Sequence, residues 1–138
     1  MRDRERDVRK FERAADQRLT VGQFLLEQGF HYDAEYLAGY AVECALKALI
    51  LKRTPLRRYE AMYHEITHGK RAHNFEVLQG TLKRPPINCT LPPPVADMLR
   101  RVAFWTTDMR YDFGFVRYRE AEQFLKDAKG IRDWSRRS

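Results

Sequence analysis

The stretch DAEYLAGYAVECALKALILKR, residues 33–53, decides the fold. Its apolar side chains follow helical spacing, but they do not keep to a single stripe. One face carries Leu37, Tyr40, Ala41, Cys44, Ala45, Ala48 and Leu51, and the other side carries Val42, Leu46, Leu49 and Ile50. Its many small residues allow neighbouring helices to approach closely. The pattern predicts a helix at the centre of a helical domain, with Asp33 capping its first turn.

Two charged residues interrupt this apolar helix. Between Tyr36 and Leu51 the only charges are Glu43 and Lys47, which lie four positions apart on one face in the favourable order. Buried charges need partners, because burying an unpaired charge is costly. Two interpretations stay open for this pair: an internal ion-pair network, and a site at which both side chains contact a ligand.

The flanking sequence predicts further helices and no strand. Apolar residues recur at helical spacing over residues 11–28, 56–66, 73–82, 95–109 and 121–134, and five prolines mark residues 83–94 as an extended connector. The short turn between the first two helices favours antiparallel packing. We therefore expect an all-α fold, an up-and-down helical bundle of four to five helices.

Domain organisation follows from length and composition. The chain has 138 residues, 43% of them apolar and 33% charged, which suits one domain with one core. We expect residues 11–134 to form that bundle, between a charged N-terminal segment, 1–10, and a basic tail, 135–138. No apolar run is long enough for a membrane helix, residues 1–10 lack the apolar segment of a secretory signal, and two cysteines suggest no disulfide framework. These features predict a cytoplasmic protein without a membrane partner.

The net charge of +7 is unevenly distributed along the chain. Five of these excess positive charges lie in residues 1–10 and 129–138, at the two ends. Solvated tails and an RNA-facing surface are both compatible with this distribution.

Residues His64-Glu65-Ile66-Thr67-His68 match the pattern H-E-x-x-H, which on a helix places two imidazoles on one face for zinc, with Glu65 positioned to activate a water. Gly69 follows at once, Ile66 is needed for packing, and the spacing of His73 fits no third ligand of such sites. A zinc hydrolase is therefore the weaker alternative, and solvated or helix-capping histidines are favoured. For the segment Arg71-Ala72-His73-Asn74, capping of the next helix, by His73 with Glu76 or by Asn74, is preferred over a position of His73 in a polar cleft.

Four segments together resemble a known family. They are AEYLAGYAVECALKALIL (34–51), AHNFEVL (72–78), Trp105 with Arg110-Tyr111, and AEQFLKDAKGIRDW (121–134). The chain is similar to bacterial HEPN domains (higher eukaryotes and prokaryotes nucleotide-binding). The resemblance implies a helical bundle that commonly forms a homodimer and is often paired with a minimal nucleotidyltransferase in toxin–antitoxin systems. In active members, a metal-independent ribonuclease site is built from an Arg and a His about four to six residues apart, brought together across the dimer.

Arg110 matches the arginine of that motif, but its histidine is missing. The positions where the histidine should fall are Phe115, Val116 and Arg117. Without an imidazole, proton transfer to and from a ribose 2′-hydroxyl loses its usual agent, which is worth about 10²–10⁴ in rate. We therefore expect a degenerate ribonuclease centre, in a nucleotide- or RNA-binding or regulatory module, rather than an active ribonuclease.

The residues expected to bind the ligand are Glu43, Lys47, Asp108, Arg110 and Tyr111, with no cofactor. Lys47 and Arg110 are predicted to contact phosphate, with Glu43 orienting Lys47. Arg110, which is also the catalytic residue if there is one, can alternatively pair with Asp108 or satisfy the carbonyls of a helix end. For Tyr111 and Trp105, core or rim packing is favoured over stacking on bases.

Overall fold

The computed structural model describes residues 2–138, and over that range it contains helices and no strand. The all-α prediction is confirmed. The helices are α1 (Arg4–Glu27), α2 (His31–Arg53), α3 (Tyr59–Thr67), α4 (Phe75–Lys83), α5 (Pro93–Arg101) and α6 (Tyr118–Arg137). Short 3-10 helices cover Leu56–Arg58, Lys70–His73 and Thr107–Tyr111. None of the helices within residues 2–138 is long and apolar enough to cross a membrane.

Helix α2 is the centre of the bundle, as its all-round apolar pattern predicts. Fourteen of its 23 residues are buried, and it packs most extensively against α1 and α6. The predicted capping role of Asp33 is wrong. The helix starts two residues earlier, Phe30 occupies the N-cap position without a side-chain hydrogen bond, and Asp33 lies in the first turn. Gly29 ends α1 with a φ of +88°, a conformation that glycine adopts without strain.

The charged N-terminal segment is part of α1, which starts at Arg4 instead of at the predicted residue 11. Asp3 caps this start by accepting a hydrogen bond from the Arg6 amide at 3.1 Å, and Asp7 is buried on the inner face of the first turns. The Asp7 carboxylate accepts two hydrogen bonds from the Arg2 guanidinium, at 2.9 and 2.8 Å, and one from the Tyr59 hydroxyl at 2.8 Å. The hydrogen bonds from Arg2 are the main reason why the pKa of Asp7 is lowered. The alternating charges of residues 1–10 do not indicate that one of these acids turns inward.

The predicted helix over residues 95–109 is wrong in its second half. Helix α5 ends at Arg101, and the chain turns so that Trp105 enters the core. The indole nitrogen of Trp105 donates a hydrogen bond to the Tyr36 carbonyl oxygen at 3.0 Å. Its ring lies over Gly39, where a Cβ atom would be only 2.0 Å from the indole nitrogen. Burial of this large side chain against a glycine of α2 favours the turn over continued helix.

Candidate functional site

A polar groove of about 860 Å³ lies where the 3-10 helix Lys70–His73 and the start of α4 face the turn that follows α5. Its polar lining includes Lys70, His73, Asn74, Thr106, Asp108 and Arg110. The lining from Lys70 to Asn74 is positioned by the cap of α4. Asn74 caps α4 by accepting a hydrogen bond from the Val77 amide at 3.0 Å. Of the two predicted caps, His73 and Asn74, it is therefore Asn74 that caps the helix, and the His73 imidazole lines the groove.

His73 connects the groove to the charged pair of α2. Glu43 and Lys47 are only 5% and 4% exposed, and Lys47 Nζ donates to Glu43 Oε2 at 2.8 Å. The second oxygen, Glu43 Oε1, lies 3.0 Å from His73 Nδ1, and the His73 side chain is 45% exposed. One carboxylate thus orients a buried ammonium and a half-exposed imidazole. Because Nδ1 is engaged, Nε2 is the ring nitrogen left for a ligand.

The structure places Lys47 outside the groove. Its ammonium is enclosed beside Glu43 and lies 5.9 Å from the centre of the Phe11 ring. A phosphate contact by Lys47, as the sequence predicts, would need this group to leave its buried partner. The interpretation of Glu43 and Lys47 as an internal ion-pair network fits this geometry. Of the two residues, only Glu43 acts on the groove, through its contact with His73.

Arg110 lies on the 3-10 helix Thr107–Tyr111 and is exposed. Within the part of the chain that the structure describes, it forms no ion pair with Asp108 or any other acid. Its guanidinium lies over the ring of Tyr111, 4.6 Å from the centroid. Tyr111 is 74% exposed, so Arg110 has a supporting aromatic face and remains open to an anion.

The groove rests on aromatic side chains that belong to the core. Trp105 is 3% exposed and stacks on Phe75, with ring centroids 5.1 Å apart and an angle of 4°. Tyr40 meets Trp105 edge-on at 5.0 Å. Burial and the hydroxyl contact with Tyr36 raise the pKa of Tyr40 to about 12. The core interpretation of Trp105 therefore fits, and the ring does not offer a free face to a base.

The H-E-x-x-H alternative lacks the geometry of a zinc site. His64 and His68 stack with ring centroids 4.0 Å apart and planes 19° from parallel. Zinc binds in the plane of each imidazole at about 2.0–2.1 Å, and two stacked parallel rings share no such point. Glu65 is 2.8 Å from Arg84. Over residues 2–138, no group of three or more His, Cys, Asp or Glu side chains could hold a metal ion.

A second and larger concave surface, of about 1570 Å³, lies along α1 and reaches Glu60 of α3. Its basic residues are Arg2, Arg6, Arg9, Lys10 and Arg13. The N-terminal charges are therefore held on one face of a helix rather than on a solvated tail. Four acids, Asp3, Asp7, Asp16 and Glu60, line the same surface, so five bases stand against four acids and a polyanion would find little net positive charge there.

Sequence comparison gives one result. A family model described as HEPN domain matches residues 8–138 of the chain, which is nearly its whole length. No curated protein and no solved structure is significantly similar to it.

Proposed function

Since the chain belongs to the HEPN domain family, as the match over residues 8–138 shows, we propose that it is a module that binds the phosphate groups of RNA or nucleotides in the groove around Arg110. The observation that carries this proposal is an exposed guanidinium that has no acidic partner within residues 2–138 and lines the same groove as an imidazole anchored from the core. Arginine binds phosphate through two parallel hydrogen bonds, and such sites need the guanidinium free.

Three basic residues, Lys70, Arg100 and Arg110, and two acids, Glu76 and Asp108, line the groove, so its excess charge is positive and favours an anionic ligand. Arg100 is paired with Asp97 at 2.7 Å, whereas Lys70 and Arg110 are exposed and take part in no ion pair between residues 2 and 138. Asp108 is exposed on the same 3-10 helix and can accept hydrogen bonds from ribose hydroxyls. Tyr111 keeps the guanidinium extended through its cation–π contact. The proposed ligand contacts are thus Lys70, His73, Asp108, Arg110 and Tyr111.

A binding titration tests the proposal. Fluorescein-labelled single-stranded RNA and single ribonucleotides are titrated with the wild type, with Arg110→Ala and with Arg57→Ala. Arg57 is exposed on a different 3-10 helix, away from the groove, so its loss removes the same charge elsewhere. We expect Arg110→Ala to weaken binding by about tenfold or more, and Arg57→Ala to change it little. Coinciding curves for the wild type and Arg110→Ala would refute the proposal.

A metal-independent ribonuclease is the second candidate function, and one observation favours it. His73 lines the groove, although it comes before Arg110 in the chain. In the motif of active members, the histidine follows the arginine by a few residues. Its contact with Glu43 fixes the ring and leaves Nε2 available as a proton acceptor. The prediction of a degenerate centre depends on the positions that follow Arg110 in the chain, where no histidine occurs. In the folded protein, an imidazole and Arg110 line the same groove.

The chemistry of this second candidate can be written with those two residues. His73 Nε2 takes the proton of a ribose 2′-hydroxyl, and the 2′-oxygen forms a bond to phosphorus as the bond to the 5′-oxygen breaks. Arg110 stabilises the charge that develops on the phosphate oxygens. Water gives a proton to the leaving 5′-oxygen, and the hydroxide that this leaves takes the proton held by His73, so the products are a 2′,3′-cyclic phosphate and a free 5′-hydroxyl.

Cleavage of RNA in the presence of EDTA tests this candidate. His73→Ala should abolish cleavage, and His64→Ala, which removes an imidazole outside the groove, should not. RNA binding without cleavage in the wild type would leave the binding module as the function. Cleavage that persists in His73→Ala would place the catalytic group elsewhere.

The proposal extends to partners and location. Exposed aromatic side chains lie on the segment before α6, with Phe113 99% and Phe115 89% exposed, and surfaces of this kind mark protein interfaces. We assign this segment to a homodimer contact. Light scattering tests this by comparing the molecular mass in solution of the wild type with that of a Phe113→Ser/Phe115→Ser variant. A nucleotidyltransferase-type partner follows only from the family resemblance, and copurification of the two proteins tests it. The two free cysteines suit a reducing cytoplasm.

A further inference from the structure

Glu35 is the buried acid that the proposed function does not use. It lies on α2 and is 3% exposed. Burial is the main cause that raises the pKa of its carboxyl, to about 7, and the negative charge of Glu120 adds to it. No hydrogen bond within residues 2–138 relieves this cost. In that range, every fully buried side-chain nitrogen or oxygen has a hydrogen-bond partner. The Glu35 oxygens have none, so they are not fully buried and must border an open space.

That space is a cavity of about 710 Å³ between α2, the end of α5 and α6. Its walls are mainly apolar and come from Tyr32, Phe104, Met109, Val116 and Phe124. Phe104 is 60% exposed and meets Phe124 edge-on at 5.6 Å, which leaves an aromatic face at the mouth. The volume lies within the range typical of sites for small organic molecules.

The charges around the cavity favour a cation. Arg101, from α5, is held by Asp127 of α6 through two hydrogen bonds of 2.9 and 2.7 Å. Arg119, also on α6, is exposed and is not among the causes that shift the pKa of Glu35. Glu120 adds a second carboxylate to the same wall. A carboxylate that is mostly buried, has no donor within residues 2–138 and lies beside another acid is stabilised by a ligand that brings positive charge and N–H groups.

We propose that this cavity binds a small organic cation, an amidinium or protonated amine carried on an apolar or aromatic body, with Glu35 as its acidic partner. The apolar body fills the space between Phe104 and Val116, and the cationic nitrogen donates to the Glu35 carboxylate. The cavity shares no lining residue with the groove around Arg110. The inference is therefore independent of the proposed function.

Calorimetric titration of the full chain with benzamidine, and with its neutral near-isostere benzamide, tests the proposal. At pH 8 we expect benzamidine to bind, and benzamide to bind at least about tenfold more weakly because it lacks the charge. Glu35→Gln should weaken benzamidine to the level of benzamide. Glu122→Gln, on α6 but outside the cavity, is the matched control and should change neither affinity. At pH 5.5 the wild type should bind benzamidine more than about tenfold more weakly, because Glu35 is then protonated.

Three outcomes would overturn the proposal: no benzamidine binding, equal affinities for the two probes, or equal benzamidine affinities of the wild type and Glu35→Gln. Phe104→Ala keeps the test decisive if Glu35→Gln fails to fold. It should weaken both probes by removing the aromatic wall, and unchanged affinity in this variant would place the probe outside the cavity. A Glu35→Gln protein that changes its oligomeric state without affecting benzamidine binding would identify the cavity as a contact between copies of the chain instead.

Discussion

Glu43 Oε1 lies 3.0 Å from His73 Nδ1 while the other oxygen of the same carboxylate lies 2.8 Å from Lys47 Nζ. The pair on α2 is enclosed by apolar neighbours, and the imidazole is half exposed in the groove. Both Glu43 oxygens therefore have donors, which offsets the cost of burying the charges. The same arrangement fixes the orientation of a groove residue from inside the core, so stability and the proposed function depend on one carboxylate.

Substitution of Glu43 separates these two effects. Glu43→Ala leaves the Lys47 ammonium buried without a partner, and we expect it to lower the free energy of unfolding by about 3–5 kcal/mol. The double substitution Glu43→Leu/Lys47→Met replaces the pair by apolar side chains of similar size, so its stability should be close to that of the wild type. Urea denaturation measures both values. If the double variant is as unstable as Glu43→Ala, unpaired charge is not the cause.

The stable double variant then reports on the groove. It removes the acceptor of His73 Nδ1, so the imidazole loses its fixed orientation. RNA binding that depends on His73 should weaken even though the protein is folded. Unchanged RNA affinity in a folded double variant would show that the Glu43–His73 contact does not contribute to binding.

The close approach of Trp105 to Gly39 predicts a large effect from one methyl group. A Cβ at Gly39 would lie 2.0 Å from the indole nitrogen, and Trp105 is enclosed by Phe75 and Tyr40 and cannot retreat. We expect Gly39→Ala to lower the free energy of unfolding by about 2–4 kcal/mol, since overpacking displaces the ring and its hydrogen bond.

Gly80→Ala is the matched control for that variant. Gly80 lies within α4, and an added Cβ meets nothing within 4 Å. Alanine is the better helix former, so this change should raise the free energy of unfolding by about 0.5–1 kcal/mol. Thermal denaturation measures both variants. A loss of stability in Gly39→Ala together with a gain in Gly80→Ala would support the packing argument. Equal losses in both variants would attribute the effect of Gly39→Ala to the helix backbone instead.

The inward-facing Asp7 makes the N-terminal turns of α1 part of the folded structure. Its pKa is lowered mainly by the hydrogen bonds from Arg2, so the stability that it contributes is present above the pKa of an unfolded aspartate and is lost as the pH falls through the lowered value. Asp7→Asn should therefore be less stable than the wild type by about 1–3 kcal/mol at pH 7. The difference should shrink below about pH 4, as the wild-type carboxyl becomes protonated.

Glu5→Gln is the control for this series, since Glu5 is an exposed acid in the same helical turn. Its stability should stay close to that of the wild type throughout the pH range. If Asp7→Asn also matches the wild type at pH 7, the Arg2–Asp7–Tyr59 contacts contribute no net stability and the first turns of α1 behave as a tail.

The sequence predicted what depends on local pattern and missed what depends on tertiary contacts. The all-round apolar pattern of residues 33–53 identified the central helix, because only burial on every side permits it. The same pattern singled out Glu43 and Lys47 as charges in need of a partner. It could not supply His73 as that partner, because the two segments are 30 residues apart and meet only in the fold. Asp7 and Glu35 were missed because an acid among other charges or near a helix start looks exposed in sequence.

Glu35 predicts an unusual pH dependence of stability. Its pKa is raised to about 7 in the folded protein, mainly by burial, whereas an unfolded glutamate titrates near pH 4.3. Between these values the folded state holds more protons than the unfolded state, so the contribution of Glu35 to stability falls as the pH rises from about 4 to above 7.

Glu35→Gln keeps the shape without the charge. It should be more stable than the wild type at pH 8 by roughly 1–3 kcal/mol and nearly equal to it at pH 4. Urea denaturation of the wild type, Glu35→Gln and the control Glu122→Gln at several pH values measures these differences. A constant gap between the first two proteins across that range would mean that packing, rather than ionisation of Glu35, distinguishes them.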